Sequence, residues 1–304
     1  LKPMSNVNEI TDSLGPTETT TETGPSPLVC GFFFLSGITA LVYEIIWTRM
    51  LTLTFGHTVY SVSIVLSAFM AGLGVGSFVF GQAMDRLGNT NTAGGAQPLA
   101  ALRVYGLIEI AIGCLAGVLS LFFSGFDSFY VWMYEWLPES AVLANAVKAV
   151  LAFGLMCVPT AFMGATLPII SRYFVTRDNH LNTQVGLLYS LNTLGASVGC
   201  LLTGFFFIAH FGVLQTALVA AALNIVIGVG CLRIYQDKVS EGAPRSGLPK
   251  ISWPRLDVTS DQKLWMGVSF VCGFTALAYE VLWTRLLVFS ISSTVYSFSL
   301  MLAV

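Results

Sequence analysis

The string Tyr-Glu-x-x-Trp-Thr-Arg occurs twice in this 304-residue chain, each time inside an apolar stretch. The first copy is Tyr43, Glu44, Trp47, Thr48 and Arg49; the second, 236 positions later, is Tyr279, Glu280, Trp283, Thr284 and Arg285. The register extends beyond the string. Gly37, Thr39, Ala40, Leu41, Leu51, Thr58, Val59, Tyr60, Ser61 and Ser63 recur at the same offset as Gly273, Thr275, Ala276, Leu277, Leu287, Thr294, Val295, Tyr296, Ser297 and Ser299. A large duplicated unit is implied, with the second copy just begun where the sequence stops at Val304.

Composition says which solvent the unit meets. With 55% hydrophobic residues, 10% charged residues and a mean hydropathy of +0.77, the chain has too little polar surface to cover a soluble globule of this size. An all-helical integral membrane protein in contact with the lipid bilayer is expected. The net charge of -2 and the confinement of basic residues to short loops speak against a nucleic-acid partner. The six cysteines are scattered singly, with no C-x-x-C pair and no histidine at ligand spacing, so neither a metal nor another cofactor is expected.

Residues 1–27, rich in Thr, Glu, Pro and Ser, read as a disordered cytoplasmic tail. Apolar runs of bilayer length then follow one another. Six helices are expected, near 28–55, 58–82, 99–124, 142–172, 184–210 and 212–235, making a first transmembrane repeat over 28–235. The Pro-containing segment 236–262 reads as a cytoplasmic linker, and 263–304 as the start of a second, truncated repeat with a seventh helix near 263–290. Repetition after an even number of helices makes the two halves parallel, as in the 6+6 major-facilitator bundle. Arg86, Arg103, Arg172, Arg177, Arg233 and Lys238 fall on one side under this count, with the amino terminus, and that side is cytoplasmic by the positive-inside rule.

Small residues at Gly72 and Gly76, Gly186 and Ser190, and Gly195 and Gly199 have the spacing that brings membrane helices close. Pro159 and Pro168, flanking Met163-Gly164-Ala165-Thr166, predict a broken or kinked fourth helix.

The residues able to carry chemistry are those that a bilayer tolerates poorly. Glu44 and Glu280 lie deep in their helices, where a carboxylate must face a cavity, a cation or a partner. Two readings stand side by side: a proton or cationic-substrate site at the interface of the repeats, or a structural pin that satisfies Arg49, Arg285 or backbone groups. Glu44 and Arg49, five apart, point in different directions on one helix, so each looks to another helix, and Glu109 is the obvious candidate. Arg49 and Arg285 also have the position to snorkel, with Trp47 and Trp283 as belt residues. Tyr43 and Tyr279 belong to the same candidate set.

Gly81-Gln-Ala-Met-Asp85-Arg86-Leu-Gly88 resembles the cytoplasmic gating motif of major facilitator transporters, Gly-x-x-x-Asp-Arg-x-Gly, although Asn89 and Thr90 replace the basic residues usual after its last glycine. Four further blocks carry a closer resemblance. They are Ser36-Gly37-x-x-Ala40-Leu41-x-Tyr43-Glu44-x-x-Trp47-x-Arg49, Ala68-Phe69-Met70-x-Gly72-Leu73-Gly74-x-Gly76-Ser77, Met163-Gly164-Ala165-Thr166-Leu167-Pro168 and Tyr189-x-x-Asn192-Thr193-x-Gly195-Ala196. Together, over roughly residues 28 to 304, they resemble the membrane part of bacterial fused major-facilitator and spermidine-synthase-like proteins.

That resemblance implies an inner-membrane location and transport of polyamines or other cationic solutes. Its alternative implication is a membrane scaffold for an aminopropyltransferase-like domain, or a subunit of a larger complex. The nucleoside-binding glycine loop and catalytic acid of such a domain have no counterpart in this sequence. Aminopropyltransferase activity is therefore expected only if that domain follows Val304 or lies in another chain.

Overall fold

The computed structural model describes residues 26–56, 58–88, 96–125, 141–174, 181–242 and 260–304, and every regular element among them is helical. In chain order they are α1 (Pro27–Phe55), α2 (Thr58–Gly88), α3 (Ala96–Ser124), α4 (Ala141–Phe174), α5 (Leu181–Leu202), α6 (Val213–Ser240), α7 (Ser260–Ile291) and α8 (Thr294–Ala303). A π-helical turn, Thr203–Phe207, and a last α turn, Ile208–Phe211, prolong α5. Seven of these helices are long and apolar enough to cross a membrane, so the chain is a multi-pass membrane protein.

The helix ends follow local chemistry. A proline in its first turn opens α1, where its missing N–H is no loss, and Gly56 closes it with φ of 70°, its N–H bonding the Thr52 carbonyl. Two helices run past the ends expected from hydropathy. The Gly81–Gly88 motif forms the last turns of α2, although the side chains of Asp85 and Arg86 lie outside the described residues. Likewise Gln236 to Ser240, assigned to the linker by their polarity, continue α6 until Gly242 at φ 103°. Hydropathy marks the lipid-facing length of a helix, whereas the helix itself persists until a residue breaks it. The remainder of the expected linker, 243–259, lies outside the described residues, as do 1–25.

Pairs of helices meet where both backbones are bare. In α1 and α5, a Cβ on Gly37 would strike the Asn192 carbonyl, and one on Gly195 or Gly199 would strike the carbonyl of Phe34 or Ile38. In α2 and α4 the same holds for Gly72 against Thr160, Gly76 against Ala161 and Gly164 against Leu73. In α3 and α6, Gly106 and Gly228 face each other's carbonyls. Gly186 and Ser190 take no part: a Cβ on Gly186 meets nothing within 4 Å, and Ser190 is exposed. Each stands nine residues before a packed glycine of α5, about half a turn round the helix, so this pair looks away from α1.

The fourth helix is unbroken through both prolines. Pro168 has no N–H to give the Gly164 carbonyl, and the Ser77 hydroxyl of α2 donates to that oxygen at 2.7 Å. The neighbouring helix thus restores the hydrogen bond that proline removes.

Candidate functional site

Among the described residues of the first six helices the buried carboxylates are Glu44 and Glu109, and their surroundings differ. Glu109 of α3 is fully buried and fully answered: the Ser36 hydroxyl donates to Oε1 at 2.6 Å, and the Asn224 amide donates to Oε2 at 2.7 Å. The Asn224 carbonyl oxygen in turn accepts from the Tyr43 hydroxyl at 3.3 Å. The chain Tyr43, Asn224, Glu109, Ser36 therefore runs from α1 through α6 and α3 back to α1. The Tyr105 hydroxyl, one turn before Glu109 and also buried, finds no hydrogen-bond partner of good geometry.

Trp47 extends this locked region. It is fully buried, stacks on Tyr43 with ring centroids 5.4 Å apart, and donates from Nε1 to the Ser120 hydroxyl at 3.0 Å. The belt position expected of Trp47 is thus corrected: the α3 hydroxyl reaches its indole N–H inside the bundle, and water is not needed to satisfy it. Its counterpart Trp283 is 57% exposed, and Tyr279 is 63% exposed, against zero for Tyr43.

Glu44 is the opposite case. It is 2% exposed, yet its Oε1 has no hydrogen-bond partner. A cavity of about 170 Å³ adjoins it, lined by polar groups of Ser36, Thr39, Glu44, Thr166, Asn192 and Asn224, with Phe69, Met70, Met163 and Leu302 among its apolar walls. Helices α1 to α6 all contribute, with α8 closing one side through Leu302. Glu109 does not line the cavity; it lies behind Ser36 and Asn224, which do.

Of the remaining candidates, the two arginines line adjoining clefts that share Val62 and Thr294. Glu280 of α7 is half-buried and does not line the Glu44 cavity. Arg49 lines a cleft with Ile45, Thr48, Thr52, Val62 of α2 and the α8 residues Thr294, Val295 and Phe298. Arg285 lines another with Val281, Thr284, Val288, the α2 residues Val59 and Val62 and Thr294 of α8. Neither arginine forms an ion pair with a described residue. Gly81 packs loosely toward Pro168, away from the cavity.

The residues that sequence reasoning left without a role are Asn224, Thr39, Thr166 and Ser120. Asn224 carried a readable signal, a lone amide within the apolar run Ala220 to Gly228. The hydroxyls did not, because serine and threonine in membrane helices ordinarily bond their own backbone, as Thr48 does to Glu44.

The chain is 26% identical over 197 residues to polyamine aminopropyltransferase 1 of Streptomyces coelicolor, an alignment covering 64% of this chain. It spans only 32% of that relative's length. No protein-family model matches the chain, and no solved structure matches it.

Proposed function

We propose that this protein is a transporter-like membrane protein that holds a cationic solute at Glu44. The observation that carries the reading is the buried Oε1 of Glu44, unpartnered beside a polar cavity. A carboxylate placed near the middle of a membrane helix costs about 2.5 to 3.5 kcal/mol. Glu109 offsets such a cost with two donors, and Glu44 has none of this kind, so its natural complement is a cation that comes and goes. Ser36, Thr39, Asn192 and Asn224 supply the neutral hydrogen-bonding groups that orient such a guest. The relative, a polyamine aminopropyltransferase by name, supports an amine of the polyamine class.

The same reading takes the chain as the first half, and the start of the second, of a 6+6 bundle in the bacterial inner membrane with its amino terminus inside. The matching surroundings of the two copies support it. Ile45, Thr48 and Arg49 of α1 line a cleft with residues of α2 and α8, and their counterparts Val281, Thr284 and Arg285 of α7 line one with residues of the same two helices.

A second reading, a membrane anchor for an aminopropyltransferase-like domain, is favoured by the relative's name and by the short share of its length that the chain spans. One pair of measurements on the intact protein separates them. In the transport reading, Glu44→Gln abolishes uptake of labelled amine into proteoliposomes and leaves the melting temperature within a few degrees of the parent. Undiminished uptake by Glu44→Gln overturns it, as does an absence of uptake by the parent protein.

A further inference from the structure

The polar lining of the Glu44 cavity has a hydrogen-bonding direction. A hydroxyl carries one proton and two lone pairs, so a protein acceptor that takes the proton leaves only lone pairs to offer a guest. Among the described residues, the hydroxyls of the lining are all committed in this way. Ser36 donates to Glu109 Oε1 at 2.6 Å, Thr39 to the Ser36 carbonyl at 2.9 Å and Thr166 to the Met163 carbonyl at 2.7 Å. Asn224, also in the lining, gives an amide N–H to Glu109 Oε2 at 2.7 Å, and its carbonyl oxygen accepts from Tyr43 at 3.3 Å with a second lone pair to spare. Glu44 Oε1 is an acceptor without a partner. Asn192, whose amide offers both kinds of group, is the exception.

Glu109 sets half of this pattern from behind the wall. Serine and asparagine can each present a donor or an acceptor, whereas an ionised carboxylate only accepts, so Ser36 and Asn224 meet Glu109 by turning their donors toward it. An amide at position 109 does not impose this, because its nitrogen is itself a donor and reverses one of the two neighbours. The complement of acceptors around an unpartnered carboxylate is a cation that carries N–H groups. A quaternary ammonium ion has the charge and nothing to donate, and its customary site is a cage of aromatic faces. The lining holds one aromatic residue, Phe69. A site built to bond an N–H rejects the analogue that lacks it, because the acceptors then lose water and gain no partner.

We propose that Glu109 is a positioning residue that fixes Ser36 and Asn224 as acceptors toward the Glu44 cavity, and that the site thereby takes ammonium ions for the N–H groups they bear, primary amines ahead of tertiary and quaternary ones. This rests on the cation-binding reading of the Glu44 cavity and adds the hydrogen-bond character that the guest must have. Glu44 supplies the charge, and Glu109, which does not line the cavity, supplies selectivity through its two neighbours.

The test is equilibrium binding, at neutral pH and to the intact protein in lipid nanodiscs, of four isomeric ions: n-butylammonium, diethylammonium, ethyldimethylammonium and tetramethylammonium. They share one atomic composition and one charge and carry three, two, one and no N–H groups. The parent protein binds butylammonium at least about tenfold more tightly than tetramethylammonium, with the other two between them in that order. Glu109→Gln narrows this ratio by about threefold or more, since one donor is turned back toward the guest. Thr166→Val, which removes one acceptor and leaves the Glu109 network alone, weakens butylammonium and leaves tetramethylammonium as it was. The Thr166 hydroxyl bonds only its own helix backbone, so this second variant keeps the proposal open to refutation where Glu109→Gln fails to fold. An unchanged ratio in folded Glu109→Gln overturns the positioning role, because a merely structural residue shifts all four affinities together. A parent protein that binds tetramethylammonium as tightly as butylammonium overturns the acceptor lining while sparing the single-cation reading, as does an unchanged ratio in Thr166→Val. Failure of all four ions to bind the parent protein overturns both.

Discussion

Glu44 and Glu109 are chemically identical, and each is buried inside an apolar helix, yet only one is satisfied. Glu109 accepts from donors on two other helices, so its removal leaves those donors without their acceptor. Glu109→Leu is expected to cost about 1 to 3 kcal/mol for each donor left without a partner, Ser36 and Asn224. Ser120→Ala, which takes away a neutral acceptor from Trp47, is expected to cost about 0.6 kcal/mol and no more than about 1.7. Thermal midpoints of the purified variants in one detergent check the order: a loss for Ser120→Ala as large as that for Glu109→Leu contradicts the assignment of Glu109 as the centre of the network. Tyr43 belongs with Glu109, bonded through Asn224 and stacked on Trp47, and so acts by holding α1 in place beside the cavity.

Helix contacts here depend on what a backbone leaves uncovered. Gly164 presses on Leu73, whereas Gly74, one residue along on the same α2, has nothing within 4 Å of a Cβ. Gly164→Val is accordingly expected to destabilise by about 1 to 3 kcal/mol or to prevent folding, and Gly74→Val to be tolerated; folded yield from membranes distinguishes them. The Ser77 bond to the Gly164 carbonyl allows a sharper experiment. Ser77→Ala alone strands that carbonyl and costs about 1 to 3 kcal/mol. In a Pro168→Ala background the restored N–H takes over the carbonyl, so the same serine change becomes nearly neutral. A serine effect of equal size in both backgrounds means that Ser77 does not compensate the proline.

At the scale of the bundle, α1 and α7 each line a cleft with residues of α2 and α8. Cysteine pairs at Ile45 and Phe298 and at Val62 and Val281, equivalent sites under the 236-residue offset, are expected to cross-link with similar efficiency in a background without native cysteines. Cross-linking at one pair and none at the other speaks against equivalent packing of the two copies. Topology is open to the same chemistry: single cysteines replacing Thr90 and Ser240 are expected to react with an impermeant thiol reagent from the same face of the membrane, the cytoplasmic one. Labelling from opposite faces contradicts an even number of crossings between them.

Hydropathy and run length determined the helices by themselves, because lipid forces each span to bond its own backbone and to show apolar side chains over bilayer length. The duplication was equally plain, since a constant offset survives in the residue string whatever the fold. The rotation of each helix about its axis was not. Gly186 and Ser190 have the same spacing as Gly195 and Gly199 and face the other way. Trp47 and Trp283 stand in identical strings, and α3 and α6 bury one while the other is exposed. The division of labour between the two buried acids was decided later still. Glu109 meets donors 73 and 115 positions away in sequence. Such pairings depend on which helices become neighbours and which faces they turn, information that no local pattern around Glu44 or Glu109 contains.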